Sequence, residues 1–111
     1  MLNNEKEIKN REINADDNLS FSSHIGGWVY ILKSRKDNDL YTGSTNDLKQ
    51  RFIKHNKGLV PSTRNRRPLE VVYYEAYRSE EDARQREHNL KLRRNAFIQL
   101  KRRIKKSIEI N

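Results

Sequence analysis

The chain has no cysteine among its 111 residues, and this one absence removes disulfides, thiolate metal sites and cysteine nucleophiles together. No run approaches the ~18 apolar residues of a membrane span, and the first residues lack the apolar stretch of a signal peptide. There is no P-loop, no nucleotide-binding glycine fingerprint and no His/Asp/Glu grouping with structural zinc spacing. Internal repeats and low-complexity segments are missing as well. The expectation is a soluble, cytoplasmic protein that fits a reducing compartment. Acids are also in short supply: 15 Asp and Glu face 24 Lys and Arg, a net charge of +9. Residues 1–25 hold three of those bases and five of those acids, so the remainder carries 21 bases against 10 acids, a net of +11. Such an excess attracts polyanions and releases their counterions on binding, which makes nucleic acid the expected partner. A merely solubilising surface would give the same number, so charge alone does not decide the matter.

Hydrophobic residues make up 33% of the chain and charged residues 35%, so there is one small core and one domain. Residues 1–25 mix Asn, Glu, Lys and Ser with isolated apolar residues and show no sustained period. They are expected to be a flexible tail, with a short helix at most near Glu5 to Ile13, ahead of a folded domain spanning 26–111. Gly26-Gly27 punctuates the boundary. Trp28 to Leu32 is apolar throughout and reads as a strand buried on both faces. Lys36-Asp37-Asn38-Asp39 supplies turn chemistry, and Leu40 to Ser44 returns as the second strand of a hairpin, where Gly43 allows a bend or a close approach. A helix follows, capped by Asn46 and ended by Gly58 in the left-handed conformation. Leu69 to Ala76 is rich in β-branched and aromatic residues and predicts a third strand, with Pro68 at its start. Ser79 with Asp82 resembles a capping box opening a second helix. A third helix is expected over about Asn95 to Ile108. The order β-β-α-β-α-α gives an α+β fold, a small and mostly antiparallel sheet flanked by helices.

Several residues fall in places where chemistry is conceivable. Tyr30 and Tyr41 lie on adjacent hairpin strands. A strand tyrosine is ordinarily a packing residue, but two neighbouring phenols near cations are more suggestive. A phenol has a pKa of about 10, so it acts as a base or relay only if nearby cations favour its anion. Arg51, His55 and Lys33 are the expected neighbours. Arg51, on the flank of the apolar stripe Leu48/Phe52, suits bidentate contact with phosphate. His55 is divided evenly between capping the helix end as a cation and relaying a proton. Glu87 sits on the thin apolar stripe Ala83/Leu90, and an ion pair with Arg51 or Lys91 is as good an account of it as a metal. A lone carboxylate holds Mg²⁺ weakly, with water and substrate phosphate completing the octahedron. The nucleic-acid-binding candidates are Lys33, Arg64, Arg66, Arg67, Lys91, Arg93 and Arg94.

Taken in order, these segments resemble the GIY-YIG nuclease family. Val29-Tyr30-Ile31 stands where the family has its first signature, and Tyr41-Thr42-Gly43 where it has its second. The helix from Asp47 through Arg51 and His55 to Gly58 is similar to the family's Arg-bearing helix. Thr63-Arg64-Asn65-Arg66-Arg67-Pro68-Leu69 and Ala83-Arg84-Gln85-Arg86-Glu87-His88-Asn89-Leu90-Lys91 resemble its small stand-alone bacterial subfamily. Trp28-Val29-Tyr30 replaces the nominal Gly-Ile-Tyr, and Thr42 replaces an Ile, while both phenols and Gly43 are kept. The resemblance implies a three-stranded antiparallel sheet flanked by helices and single-metal hydrolysis of phosphodiesters. It implies Tyr30 as general base on water, Tyr41 orienting water or phosphate, Arg51 on the scissile phosphate and Glu87 on one Mg²⁺ or Mn²⁺, with His55 auxiliary. The expected function is a metal-dependent endonuclease on DNA, structure-selective and repair-related, with RNA as a further candidate and a protein partner supplying target choice. The alternative is a non-catalytic nucleic-acid-binding module or complex component that keeps the fold.

Overall fold

The computed structural model describes residues 24–110. The expected tail and its short helix therefore lie outside the described residues, apart from His24 and Ile25. Strand β1 (Gly27–Ser34) is the centre of a three-stranded antiparallel sheet, with β2 (Leu40–Thr45) on one side and β3 (Leu69–Tyr77) on the other. Successive side chains of a strand point to opposite faces. Val29 and Ile31 accordingly pack on one face with Ala83, Leu90, Leu100 and Ile104, and Tyr30 and Leu32 pack on the other with Leu69. This is the doubly buried strand that an unbroken apolar run predicts. An extra residue in β3 shifts the register beyond Ile31, which faces Tyr73 while Leu32 faces Val71.

The hairpin turn is built by Ser34 and Asn38. Ser34 Oγ accepts from the amides of Lys36 and Asp37, both at 3.1 Å, and Asn38 takes a φ of 61°, a conformation asparagine tolerates better than most residues. Helix α1 (Leu48–Asn56) is capped by Asp47, whose carboxylate accepts from the Gln50 amide at 3.1 Å. The cap is thus Asp47 and not Asn46. Thr45 Oγ1 accepts from the Asp47 amide at 3.1 Å, and this local turn uses residue 46 as its bend and delivers Asp47 to the cap position. Gly58 ends the helix at φ +79°, in the left-handed region where glycine is favoured. Leu48 and Phe52 carry α1 onto the Tyr30/Leu32 face.

From α1 the chain runs through a loop with one 3₁₀ turn (Arg64–Arg66) to β3. The loop is tied down at both ends. Asn56 donates to the Leu69 carbonyl at 2.9 Å and accepts from the Leu69 amide at 2.8 Å, so its carboxamide pairs with the backbone as another strand would. Ser34 Oγ donates to the Arg66 carbonyl at 2.6 Å.

Helix α2 (Glu80–Leu92) lies on the Val29/Ile31 face. Ser79 occupies its cap position but makes no side-chain capping bond. The expected box does not close, because an aspartate at the third position is one methylene shorter than the Glu or Gln that reaches back. Glu80, Glu81 and Asp82 in the first turn favour the helix start through its dipole instead. The expected third helix is two: α3 (Arg94–Arg103) and α4 (Lys105–Glu109), broken at Ile104 (φ −111°, ψ 24°). A continuous helix would stack like charges four apart, Lys101 on Lys105 and Arg102 on Lys106, and the break relieves this while Ile104 remains in the core. Among the described residues no helix is long and apolar enough to cross a membrane.

The Asn56 clamp carries a measurable share of stability. Asn56→Ala leaves the amide and carbonyl of Leu69 without partners, and each unmade bond costs about 1–3 kcal/mol. A urea midpoint shift equivalent to about 2 kcal/mol is expected, and a change below ~0.5 kcal/mol would show that water replaces the clamp.

Candidate active site

The site begins with a missing side chain. Tyr30 on β1 faces Gly43 across the hairpin, and a Cβ at position 43 would overlap the phenol. The ring therefore lies over the bare backbone of β2, with Tyr30 only 1% exposed. From there its hydroxyl meets His55 Nε2 at 2.8 Å, and His55 Nδ1 meets Thr63 Oγ1 at 2.7 Å. His55 is 0% exposed. Tyr41 closes the cluster, its ring 5.2 Å from that of His55 at 67° and 6.4 Å from that of Tyr30. Strand, helix and loop thus each contribute one member of a hydrogen-bonded chain.

Burial holds both titratable members of that chain neutral. It pushes the Tyr30 phenol up to about 12; the adjacent Arg51 guanidinium works against this, and Tyr41 and the Glu87 carboxylate reinforce it. It pushes the His55 imidazole down to about 4, with the Arg51 charge acting in the same direction. A neutral imidazole donates from one nitrogen and accepts at the other. The tautomer whose Nε2 accepts from the Tyr30 hydroxyl leaves the phenol lone pairs to the neighbouring guanidinium, which has donors only. The Nδ1–H then donates to Thr63. This arrangement corrects the capping alternative for His55: the ring is turned inward and uncharged, while a helix-end cap needs a cation at the surface.

Arg51 stands one helical turn before His55 on α1. Its Nε is buried and is the one such side-chain atom without a hydrogen-bond partner among the described residues. An unpaired buried donor costs about 1–3 kcal/mol, so it marks a place where an acceptor is wanted.

Glu87 approaches from α2, on the other face of the sheet, at the free edge of β2. Its Oε1 accepts from Ser44 Oγ at 2.5 Å and its Oε2 pairs with Lys91 at 2.6 Å, leaving the side chain 21% exposed. Ser44 faces Val29, so the carboxylate reaches the site around the edge strand and not across the Tyr30 face. Its charge is nevertheless felt at Tyr30, and the Lys91 ammonium lies 5.9 Å from the centre of the Tyr41 ring. Of the two partners considered for Glu87, Lys91 makes the ion pair and Arg51 does not. Among the described residues no group of three or more His, Cys, Asp or Glu could enclose a metal. One carboxylate beside a serine hydroxyl fits only an ion such as Mg²⁺ that keeps most of its water.

The basic candidates divide. Lys33 is 7% exposed, and its ammonium donates to the Ile108 carbonyl at 2.7 Å. It caps α4 on the face opposite Tyr30, which corrects its assignment to nucleic acid and to the phenols. Arg66 forks onto Asp37 at 2.9 and 3.3 Å, holding that carboxyl down at about 2, and so ties the loop to the hairpin turn. Arg64 and Arg67 are exposed and line an open cleft with Lys36, Asn56, Asn65 and Pro68, with no acid in its wall. Lys91 is engaged by Glu87, while Arg93 and Arg94 are exposed where α2 meets α3. Sequence reasoning missed Thr63 and Ser44 as partners of His55 and Glu87. It also missed Glu75, which accepts from Tyr73 at 2.6 Å, from Tyr77 and from Arg86 at 3.1 Å. That carboxylate is fully partnered and joins β3 to α2.

Known proteins resemble this chain. A family model described as the GIY-YIG catalytic domain matches residues 26–106. A UPF0213 protein of Clostridium perfringens is 45% identical over 75 residues, covering 66% of this chain and 80% of that protein. A UPF0213 protein of Staphylococcus epidermidis is 45% identical over 65 residues, 58% of this chain and 78% of its own. The solution structure of a UPF0213 protein from Bacillus halodurans is 38% identical, with a TM-score of 0.43 over 67% of this chain and 80% of that one.

Burying a neutral His55 has a pH signature. Its folded pKa of about 4 lies below the unfolded value near 6.5, so the unfolded state binds the proton first as pH falls. Stability is complete above pH ~6.5 and falls by roughly 3 kcal/mol on going to pH ~4, from this group alone. Urea titrations at several pH values should show this slope, and His55→Gln, though less stable at pH 7, should flatten it. A wild-type profile flat between pH 6.5 and 4 would contradict the buried neutral imidazole.

Proposed function

The chain belongs to the GIY-YIG family, and from that premise we propose that it is a metal-dependent endonuclease that hydrolyses phosphodiester bonds in DNA. The family's catalytic domain is a nuclease-type domain; the choice of ion, the choice of nucleic acid and the residue roles are our reading. The observation that carries it is the unpartnered Nε of Arg51, buried beside a phenol that is hydrogen-bonded to a neutral imidazole. A guanidinium fork matches two phosphate oxygens, and such a ligand would engage the buried Nε–H once the side chain shifts to open it, since that atom is closed to solvent in the free protein.

In this reading Arg51 binds the scissile phosphate and offsets the charge that grows on it as water attacks. The attacking water loses a proton to Tyr30 Oη as Tyr30 passes its own proton to His55 Nε2. The resulting imidazolium is held by Thr63. With Tyr30 near 12 and His55 near 4, no standing phenolate exists at neutral pH. The transfer is therefore coupled to attack, when the added negative charge on phosphorus stabilises the imidazolium. Tyr41, whose hydroxyl has no protein partner among the described residues, orients the water or the phosphate. Glu87, with Ser44 beside it, would hold the divalent ion and must give up Lys91 to do so. Such an ion, when bound, neutralises charge on the leaving oxygen. Arg64, Arg67 and Lys36 at the loop cleft, with Arg93 and Arg94, contact the backbone without reading sequence.

One observation favours a second reading. Both oxygens of Glu87 are engaged, one by Lys91, as they would be in a nucleic-acid-binding module with no need for a metal. Cleavage assays on nicked, branched and duplex DNA with Mg²⁺ or Mn²⁺ separate the two. Tyr30→Phe and Glu87→Ala should each lower cleavage by about 10²-fold or more while leaving affinity in EDTA within about threefold. A wild-type protein that binds DNA yet cuts none of these with either ion supports the binding module.

A further inference from the structure

The face of the sheet that carries Tyr30 continues past the site into two aromatic rings for which the proposed chemistry has no use. Trp28 precedes Tyr30 by two residues on β1, so both point to the same face. Tyr74 on β3 is directly opposite Tyr30. The rings of Trp28 and Tyr74 meet edge to face, with centres 5.5 Å apart at 63°. Helix α1 covers the other end of this face, where Leu32, Leu69, Leu48, Phe52 and Val71 gather, and neither Trp28 nor Tyr74 belongs to that cluster. Tyr74 is 55% exposed and Trp28 is half-buried. Among the described large hydrophobic residues only Leu59, Leu92 and Ile110 are as open, and Tyr74, unlike them, sits inside a regular strand.

We propose that Trp28 and Tyr74 form a stacking platform for an unpaired DNA base next to the phosphate bound by Arg51. The proposal rests on the reading of Arg51 as phosphate ligand, and it adds the state of the substrate. Adjacent strands are about 4.8 Å apart. The Tyr30 ring leans over Gly43 on β2 while Tyr74 stands on β3, so the Tyr74 position lies two strands, about 10 Å, from the phenol oxygen, a span of one to two nucleotides. A strand whose phosphate is held at Arg51 thus has the base of a flanking nucleotide within reach of the two rings. Every base has a π-face, so such a platform is indifferent to sequence. A paired base is stacked inside the duplex and cannot lie on a protein ring. The preferred nucleotide is therefore single-stranded, frayed or splayed at a junction. Charge points to the same occupant, because a domain of net +11 beyond residue 25 draws a polyanion and not another copy of itself.

Trp28 is the chain's sole tryptophan, so its emission reports on this surface alone. The full chain is titrated in EDTA, where no cutting occurs, with a short oligodeoxythymidylate, an abasic oligonucleotide of equal length and a duplex hairpin of equal charge. Quenching of Trp28 is expected with the thymidylate and not with the abasic strand. Tyr74→Ala should weaken thymidylate binding about 5- to 100-fold. It should leave the abasic strand and the hairpin within about twofold, and Tyr74→Phe should restore the loss. Because Tyr74 is exposed, these variants should fold; a thermal melt matching wild type verifies this, and Trp28→Phe provides a second test with affinity read by anisotropy of a labelled strand. Equal affinity for thymidylate and abasic strands overturns the platform. So does a Tyr74→Ala variant that changes only the oligomeric state, which would assign the patch to a second copy. Quenching without cleavage by any divalent ion keeps the platform and sinks the nuclease reading, while cleavage with no quenching does the reverse.

Discussion

The Tyr30 phenol reaches His55 only because position 43 has no side chain, and the rest of the site hangs from that contact. A methyl group there would overlap the ring and displace it from the surface of β2. With the ring in place, one run of hydrogen bonds crosses from β1 through α1 to the loop at Thr63. One residue beyond His55, Asn56 fastens the same loop to the first residue of β3. Tyr30, His55 and Thr63 therefore sit together under α1 on one face of the sheet, where packed neighbours restrict their rotamers.

Burial has two consequences that belong together. It withdraws a phenol and an imidazole from water and keeps both neutral, and it leaves the neighbouring guanidinium with a donor that nothing among the described residues satisfies. Neutral partners cost less to bury than ions, so the chain tolerates the phenol and imidazole there. The cation is the expensive member. Its Nε–H is buried without a partner among the described residues, a standing penalty that the proposed phosphate ligand would relieve. Glu87 is arranged differently: it stays at the margin of β2, held by Ser44 and Lys91, where an exchange of one cation for another is accessible to solvent.

Much of this was legible in the chain, for physical reasons that differ by residue. The unbroken run Trp28 to Leu32 announced a strand with two buried faces, and a sheet flanked by helices on both sides follows from it. Gly43 announced a close approach, although what approaches is a ring from the neighbouring strand, which only the register reveals. Glu87 stood out because a carboxylate on a thin apolar stripe needs a partner. Lys33 was misassigned although alternation alone places it out of phase with Tyr30. Asp47 took the cap from Asn46 through a hydroxyl two residues earlier, and the last helix broke where like charges would have stacked. Thr63 and Ser44 carried no signal of their own. A hydroxyl on a loop or an edge strand becomes a partner only once the tertiary path brings an imidazole or a carboxylate to it.

The central claim is that the buried donor of Arg51 awaits a phosphate oxygen. Its most direct test is the ¹H–¹⁵N resonance of the Arg51 Nε–H, identified by its loss in Arg51→Lys and followed in EDTA as a DNA oligonucleotide is added. A phosphate acceptor should move that proton downfield and slow its exchange with water, saturating together with binding. Oligonucleotide binding that shifts exposed residues such as Arg64 and Arg93 and leaves the Arg51 signal where it was would contradict the account.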